Sequence, residues 1–132
     1  AFLATGHISP EESLILCREG RKRGVNMILT HPEFPRTRIG RDDQAELAKL
    51  GVVIEKNWFN LAQKSVMPEE MAETIRTVGS GHVYLATDRG QKGAPTPVSE
   101  LKRFIAVMLT CGIAEAQIRD MVQKVPEEMV CR

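Results

Sequence analysis

The chain has 132 residues, 42% of them hydrophobic and 27% charged, which is room for one domain with one core and excludes disordered and collagen-like classes. Lys plus Arg 18 against Asp plus Glu 17 leaves a net charge of +1, which argues against general electrostatic binding of nucleic acid. No apolar run approaches the roughly 18 residues of a membrane span, and no charged-then-apolar signal stretch opens the chain, so no membrane partner is expected.

The chain starts at Ala1 and its first residues already read as a strand, as expected of a piece of something longer. An apolar run at Phe2 to Thr5 leads to Gly6-His7. Ser9-Pro10-Glu11-Glu12 then puts a hydroxyl at the N-cap, proline at the first helical position and Glu12 where a capping box wants it. That helix closes on Arg21-Lys22-Arg23-Gly24, where cations complement the dipole and glycine supplies the cap. The second apolar run, Val25 to Thr30, ends in His31-Pro32-Glu33. A helix over about Asp43 to Leu50 stops at Gly51, and a third run, Val52 to Glu55, passes on to Asn57 and Trp58.

A third helix begins near Pro68, with Met71, Ile75 and Val78 on one face and Gly79 as its stop. The fourth run, His82 to Thr87, ends in Asp88-Arg89-Gly90. Leu101, Phe104, Ile105, Met108 and Leu109 follow the i, i+3, i+4, i+7, i+8 spacing of a fourth helix before Gly112. A last helix starts at about Glu115, and Pro126 should interrupt it. The three cysteines, Cys17, Cys111 and Cys131, are odd in number and widely spaced, which suits reduced thiols in a cytoplasmic protein.

The four apolar runs recur at roughly the length of one strand–helix unit, and their near-continuous apolar character suits strands buried on both faces. Residues 1–132 are therefore expected to form a single α/β unit of four parallel strand–helix repeats. Chemistry in such folds gathers at the carboxyl ends of the strands. Those ends carry two imidazoles, His7 and His31, and one carboxylate, Asp88. Imidazole and carboxylate are the donors a divalent metal takes in a hydrolytic site, where the bound water ionises near neutral pH. His7, His31 and Asp88 are the candidate metal ligands, with Asp88 also the candidate catalytic base. Glu33, Asn57 and Arg89 are the candidates for contact with a small-molecule substrate. His82 starts its strand and should face the opposite rim.

Leu3-Ala4-Thr5-Gly6-His7, Ile28-Leu29-Thr30-His31-Pro32-Glu33-Phe34 and Tyr84-Leu85-Ala86-Thr87-Asp88 together resemble the amidohydrolase superfamily of metal-dependent hydrolases. The resemblance implies a (β/α)8 TIM barrel with ligands at its C-terminal rim, histidines ending strands five and six and an aspartate ending strand eight. His7, His31 and Asp88 fit those places, so the chain resembles the C-terminal half of such a barrel. The implied activity is hydrolysis of an amide, lactone or related C–N or C–O bond. The implied cofactor is zinc, with Mn, Fe or Ni also compatible with the donors. The family's opening His-x-His pair is absent, which makes the site incomplete here. Half a barrel leaves strand edges unpaired, so self-association or pairing with an N-terminal half-barrel is expected.

A different class stays open beside this one. A small open α/β module binding a phosphate-bearing ligand would use Gly79-Ser80-Gly81, Gly90 to Gly93 and Arg36, Arg38, Arg41 and Arg89, although neither glycine stretch matches a phosphate-loop motif. A non-catalytic interaction half is a third reading.

Overall fold

The apolar runs form four strands of one sheet: β1 (Phe2–Ala4), β2 (Asn26–Leu29), β3 (Val53–Asn57) and β4 (Val83–Ala86). The structure is a computed structural model that describes residues 1–131. All neighbouring strands run parallel, and their spatial order is β1-β2-β3-β4, the order of the chain. An α/β fold with a four-stranded all-parallel sheet is thus the architecture.

The two sides of the sheet differ. In register across the strands, Met27, Leu29, Ile54, Lys56, Val83 and Leu85 share one side, and all are buried. The apolar members join Cys17, Leu47, Met71, Ile75, Phe104 and Met108 from the helices in one core. Burying each such side chain contributes about 1.5–3 kcal/mol. The other side carries Ala4, Ile28, Glu55, Tyr84 and Ala86, with Ala4 exposed and Ile28, Tyr84 and Ala86 half-buried. Glu55 lies beside Tyr84 there and is buried.

Helix boundaries follow local chemistry. In α1 (Pro10–Lys22) the capping box is complete: Glu12 N donates to Ser9 Oγ (3.2 Å) and Ser9 N donates to Glu12 Oε2 (3.0 Å). Arg21 does more than complement the dipole. Its guanidinium donates to Leu50 O (2.8 Å) and Val25 O (2.9 Å), joining the end of α2 (Arg41–Lys49) to the start of β2. α2 begins two residues earlier than the sequence suggests, on Gly40, with Asp42 and Asp43 in its first turn. α4 (Pro68–Val78) buries Met71, Ile75 and Val78 and ends at Gly79, whose φ of 91° suits only glycine.

Two elements depart from the expected pattern. A five-residue helix, α3 (Trp58–Ala62), follows β3 directly, started by Asn57, whose Oδ1 accepts from Phe59 N (2.9 Å). The C-terminal stretch is not broken at Pro126. It runs as α6 (Glu115–Arg119), a π-helical turn (Asp120–Lys124) and α7 (Val125–Cys131). The wider turn precedes the proline, whose missing N–H and bulky ring suit a local change of hydrogen-bond spacing. In α5 (Pro97–Thr110) Phe104 and Met108 are buried, whereas Leu109 is 39% exposed and lies outside the core. Among the described residues no helix is long and apolar enough to cross a membrane.

Candidate functional site

Three of the four strands end in a left-handed turn. Gly6 after β1 has φ 63°, His31 after β2 has φ 49°, and Asp88 after β4 has φ 51°. Glycine adopts this region freely, but for other residues it stores about 1–3 kcal/mol unless the surroundings hold it. They do hold it here. The His31 carbonyl accepts from Thr37 Oγ1 (2.6 Å) and Phe34 N (3.0 Å), and the Asp88 carbonyl accepts from Gln91 Nε2 (3.0 Å). β1 and β2 are tied at the same level by Thr30 N donating to Thr5 Oγ1 (3.0 Å).

These turns bring His7, His31 and Asp88 to one cleft of about 400 Å³, together with Phe34, Arg36 and Phe59. The His7 and His31 rings stack with centroids 5.0 Å apart and planes 21° from parallel. Phe34 lies 6.3 Å and 6.4 Å from the two imidazoles. His31 Nε2 is 4.0 Å from Asp88 Oδ2, too wide for a direct hydrogen bond. Its Nδ1 is buried 3.2 Å from Glu55 Oε1, off the line of a well-formed hydrogen bond. The three sequence candidates are therefore brought together, with His31 in the middle. His82 lies at the amino-terminal end of β4 and lines a different pocket with Phe2 and Arg21, as its place in the sequence implies.

Glu55 is the member that sequence reading missed. Its Oε2 accepts from Tyr84 Oη (2.8 Å) and its Oε1 from Asn57 Nδ2 (3.0 Å). Burial, then the neighbouring Glu55 carboxylate, push the Tyr84 hydroxyl well above its ordinary pKa, so it stays a hydrogen-bond donor. The available signal was Glu55-Lys56-Asn57, three polar residues in a row inside an apolar strand. Phe34 and Phe59 lacked even that, because an aromatic in a loop carries no periodic pattern.

The substrate candidates do not line this cleft. Asn57 is buried and engaged as the cap of α3 and the partner of Glu55. Glu33 lies on the other side of the sheet in a buried ion pair with Lys56, whose Nζ also donates to Gln44 Oε1 (2.6 Å). Burial pushes Lys56 below its usual pKa, against the opposing pull of Glu33. Arg89 stands behind the cleft, 3.4 Å from Glu100 and 5.6 Å from the centroid of the Phe59 ring. Each of these residues pairs with a neighbour in the fold, although Glu33 Oε2 and Arg89 Nε are buried without a hydrogen-bond partner among the described residues.

The arginines of the phosphate reading also part company. Arg38 donates to Ser65 O and pairs with Glu70 (3.7 Å), and Arg41 pairs with Glu73 (2.6 Å). Gly79 and Gly81 both precede β4 while Gly90 and Gly93 follow it, so the glycine stretches share no loop.

A family of unknown function (DUF6282) matches residues 1–55 of the chain. That stretch holds His7, His31 and Glu55 and stops short of Asp88. No curated protein and no solved structure matches.

Proposed function

We propose that the cleft is a hydrolase site of amidohydrolase type, acting on an amide, lactone or related C–N or C–O bond, and that this chain supplies one half of a barrel. The observation that carries the reading is the convergence of His7, His31 and Asp88, from three separate strand ends, on one cleft. Support for the half-barrel comes from the strand order, which follows the chain without the reversal of a doubly wound sheet. A closed barrel would continue that order past β1 and β4, so pairing with another copy or with an N-terminal half is part of the proposal.

The implied cofactor, a divalent metal such as zinc, needs more than this cleft offers. The donor types are right, but among the described residues no three His, Cys, Asp or Glu side chains gather so as to hold an ion. The chain's own groups can carry the proton transfers. A carboxylate beside Nδ1 favours the proton there and leaves the Nε2 lone pair facing the cleft. His31 Nε2 takes a proton from water as its oxygen attacks the carbonyl carbon, and Asp88 orients that water. The imidazolium so formed lies between the carboxylates of Glu55 and Asp88. It returns the proton to the departing nitrogen or oxygen as the scissile bond breaks.

Turnover of a panel of amides and lactones tests this, with His31→Ala and Asp88→Asn compared with wild type. Loss of about 10²–10⁴-fold in rate is expected for His31→Ala. Turnover unchanged in both variants would remove the cleft from the mechanism. Elemental mass spectrometry on protein purified without chelator or affinity tag decides the metal: stoichiometric Zn, Mn, Fe or Ni, lost in His31→Ala, places it at this site.

A further inference from the structure

The cleft has a second chemical character beside its imidazoles and carboxylate. Phe34 and Phe59 both line it, and Arg89, over the Phe59 ring and beside Glu100, holds that residue in place from behind. Arg36 lines the same cleft, is exposed, and makes no ion pair among the described residues. Its companions differ: Arg38 sits against Glu70, Arg41 against Glu73 and Arg89 against Glu100. The cleft thus has two phenyl rings, one uncommitted guanidinium and the Asp88 carboxylate.

We propose that the cleft selects an anionic substrate with an apolar, ring-sized body, its anionic oxygens held by Arg36 and its body packed against Phe34 and Phe59. A guanidinium matches a carboxylate or phosphate with two parallel N–H donors, which fixes direction as well as charge. Asp88 enforces the same direction, because a like charge disfavours the reversed pose. The apolar body displaces water from around the rings. The inference rests on the hydrolase reading only for which bond lies over His31; the preference for an anion stands on the cleft's own residues.

The test uses binding, and so is independent of turnover. N-benzoylglycine, its uncharged amide N-benzoylglycinamide and N-acetylglycine are titrated into the full chain by isothermal calorimetry or by following the imidazole resonances. N-benzoylglycine should bind about tenfold more tightly than either comparator, as one charged hydrogen-bonded contact or one buried ring provides. Arg36→Gln should erase the preference for the charged ligand over its amide, and Arg38→Gln should leave it intact. Phe59→Ala should weaken N-benzoylglycine and its amide alike. Equal affinity for charged and uncharged ligands in wild type, a preference that survives Arg36→Gln, or no binding of any of the three would overturn the inference. Charge-selective binding without turnover would retain this site and discard the hydrolase reading. Turnover of neutral amides without charge selectivity would do the reverse.

Discussion

Glu55 and Lys56 are adjacent in β3, yet they build two opposite kinds of polar site. Lys56 points into the core side of the sheet, where Glu33 and Gln44 enclose it. Glu55 points to the other side, where it holds Tyr84 and Asn57 and backs His31 at the edge of an open cleft. The loop after β2 contributes to both: His31 goes to the cleft and Glu33, two residues on, to the core. Pleat alternation separates Glu55 from Lys56 within β3. The closed site pairs Lys56 with Glu33 through one carboxylate oxygen, while Glu33 Oε2 is buried without a hydrogen-bond partner among the described residues. The open one keeps a half-exposed Asp88, left-handed backbone at two residues and an imidazole nitrogen without a hydrogen-bond partner among the described residues. What distinguishes the cleft is left-handed backbone at two non-glycine strand ends, and what distinguishes the closed site is a buried ion pair.

The contrast can be broken most forcefully at Lys56. Lys56→Met strands the Glu33 carboxylate in the core and should cost about 3–5 kcal/mol, read from urea unfolding. Adding Glu33→Leu should recover most of that loss, since well-packed apolar residues replace buried pairs at little cost. If Lys56→Met were as mild as a surface substitution, the two sites would not differ as argued.

A smaller effect of opposite sign is expected at the cleft. Asp88→Gly relieves the left-handed backbone and should raise stability by up to about 1 kcal/mol while removing the carboxylate from His31. A thermal midpoint that falls instead would make Asp88 a structural residue.

The smallest effect is in alkaline solution. Tyr84 has a raised pKa in the folded chain, so its contribution is fully present below its ordinary value of 10.0 and is lost as pH rises beyond it. Cys17, pushed up to about 11 by burial, acts in the same direction from 9.0 upward. Lys56 acts oppositely, because a lowered amine pKa lets stability rise with pH up to 10.5. Tyr84→Phe should therefore lose less stability than wild type as pH rises above 10.0 in urea titrations. An identical slope would show that the Tyr84 hydroxyl is not held in its protonated form by the fold.

Much of the scaffold was legible from local chemistry. The capping box at Ser9, the glycine stop at Gly79 and the four apolar runs are short-range signals, and the elements follow them. The grouping of His7, His31 and Asp88 was legible for a related reason: parallel strands place equivalent chain positions at the same rim. Glu33, Asn57 and Arg89, polar residues at or next to strand ends, do not line the cleft that holds His7, His31 and Asp88. The roles of Glu33 and Asn57 depend on Lys56 and on α3, which no periodicity announces.

The sequence by itself determined the alternation of strands and helices, their parallel sense and which residues stand at the strand ends, because capping, hydrophobic periodicity and turn chemistry act within a few residues. Only the tertiary structure decided that Glu55 backs His31 while Lys56 buries Glu33, that Arg36 alone among the four arginines of the phosphate reading has no ion pair among the described residues, and that Phe34 and Phe59 line one cleft. Those outcomes depend on the side of the sheet a residue faces and on partners 20 or more positions away, and burial of charge enforces them only once the chain has closed.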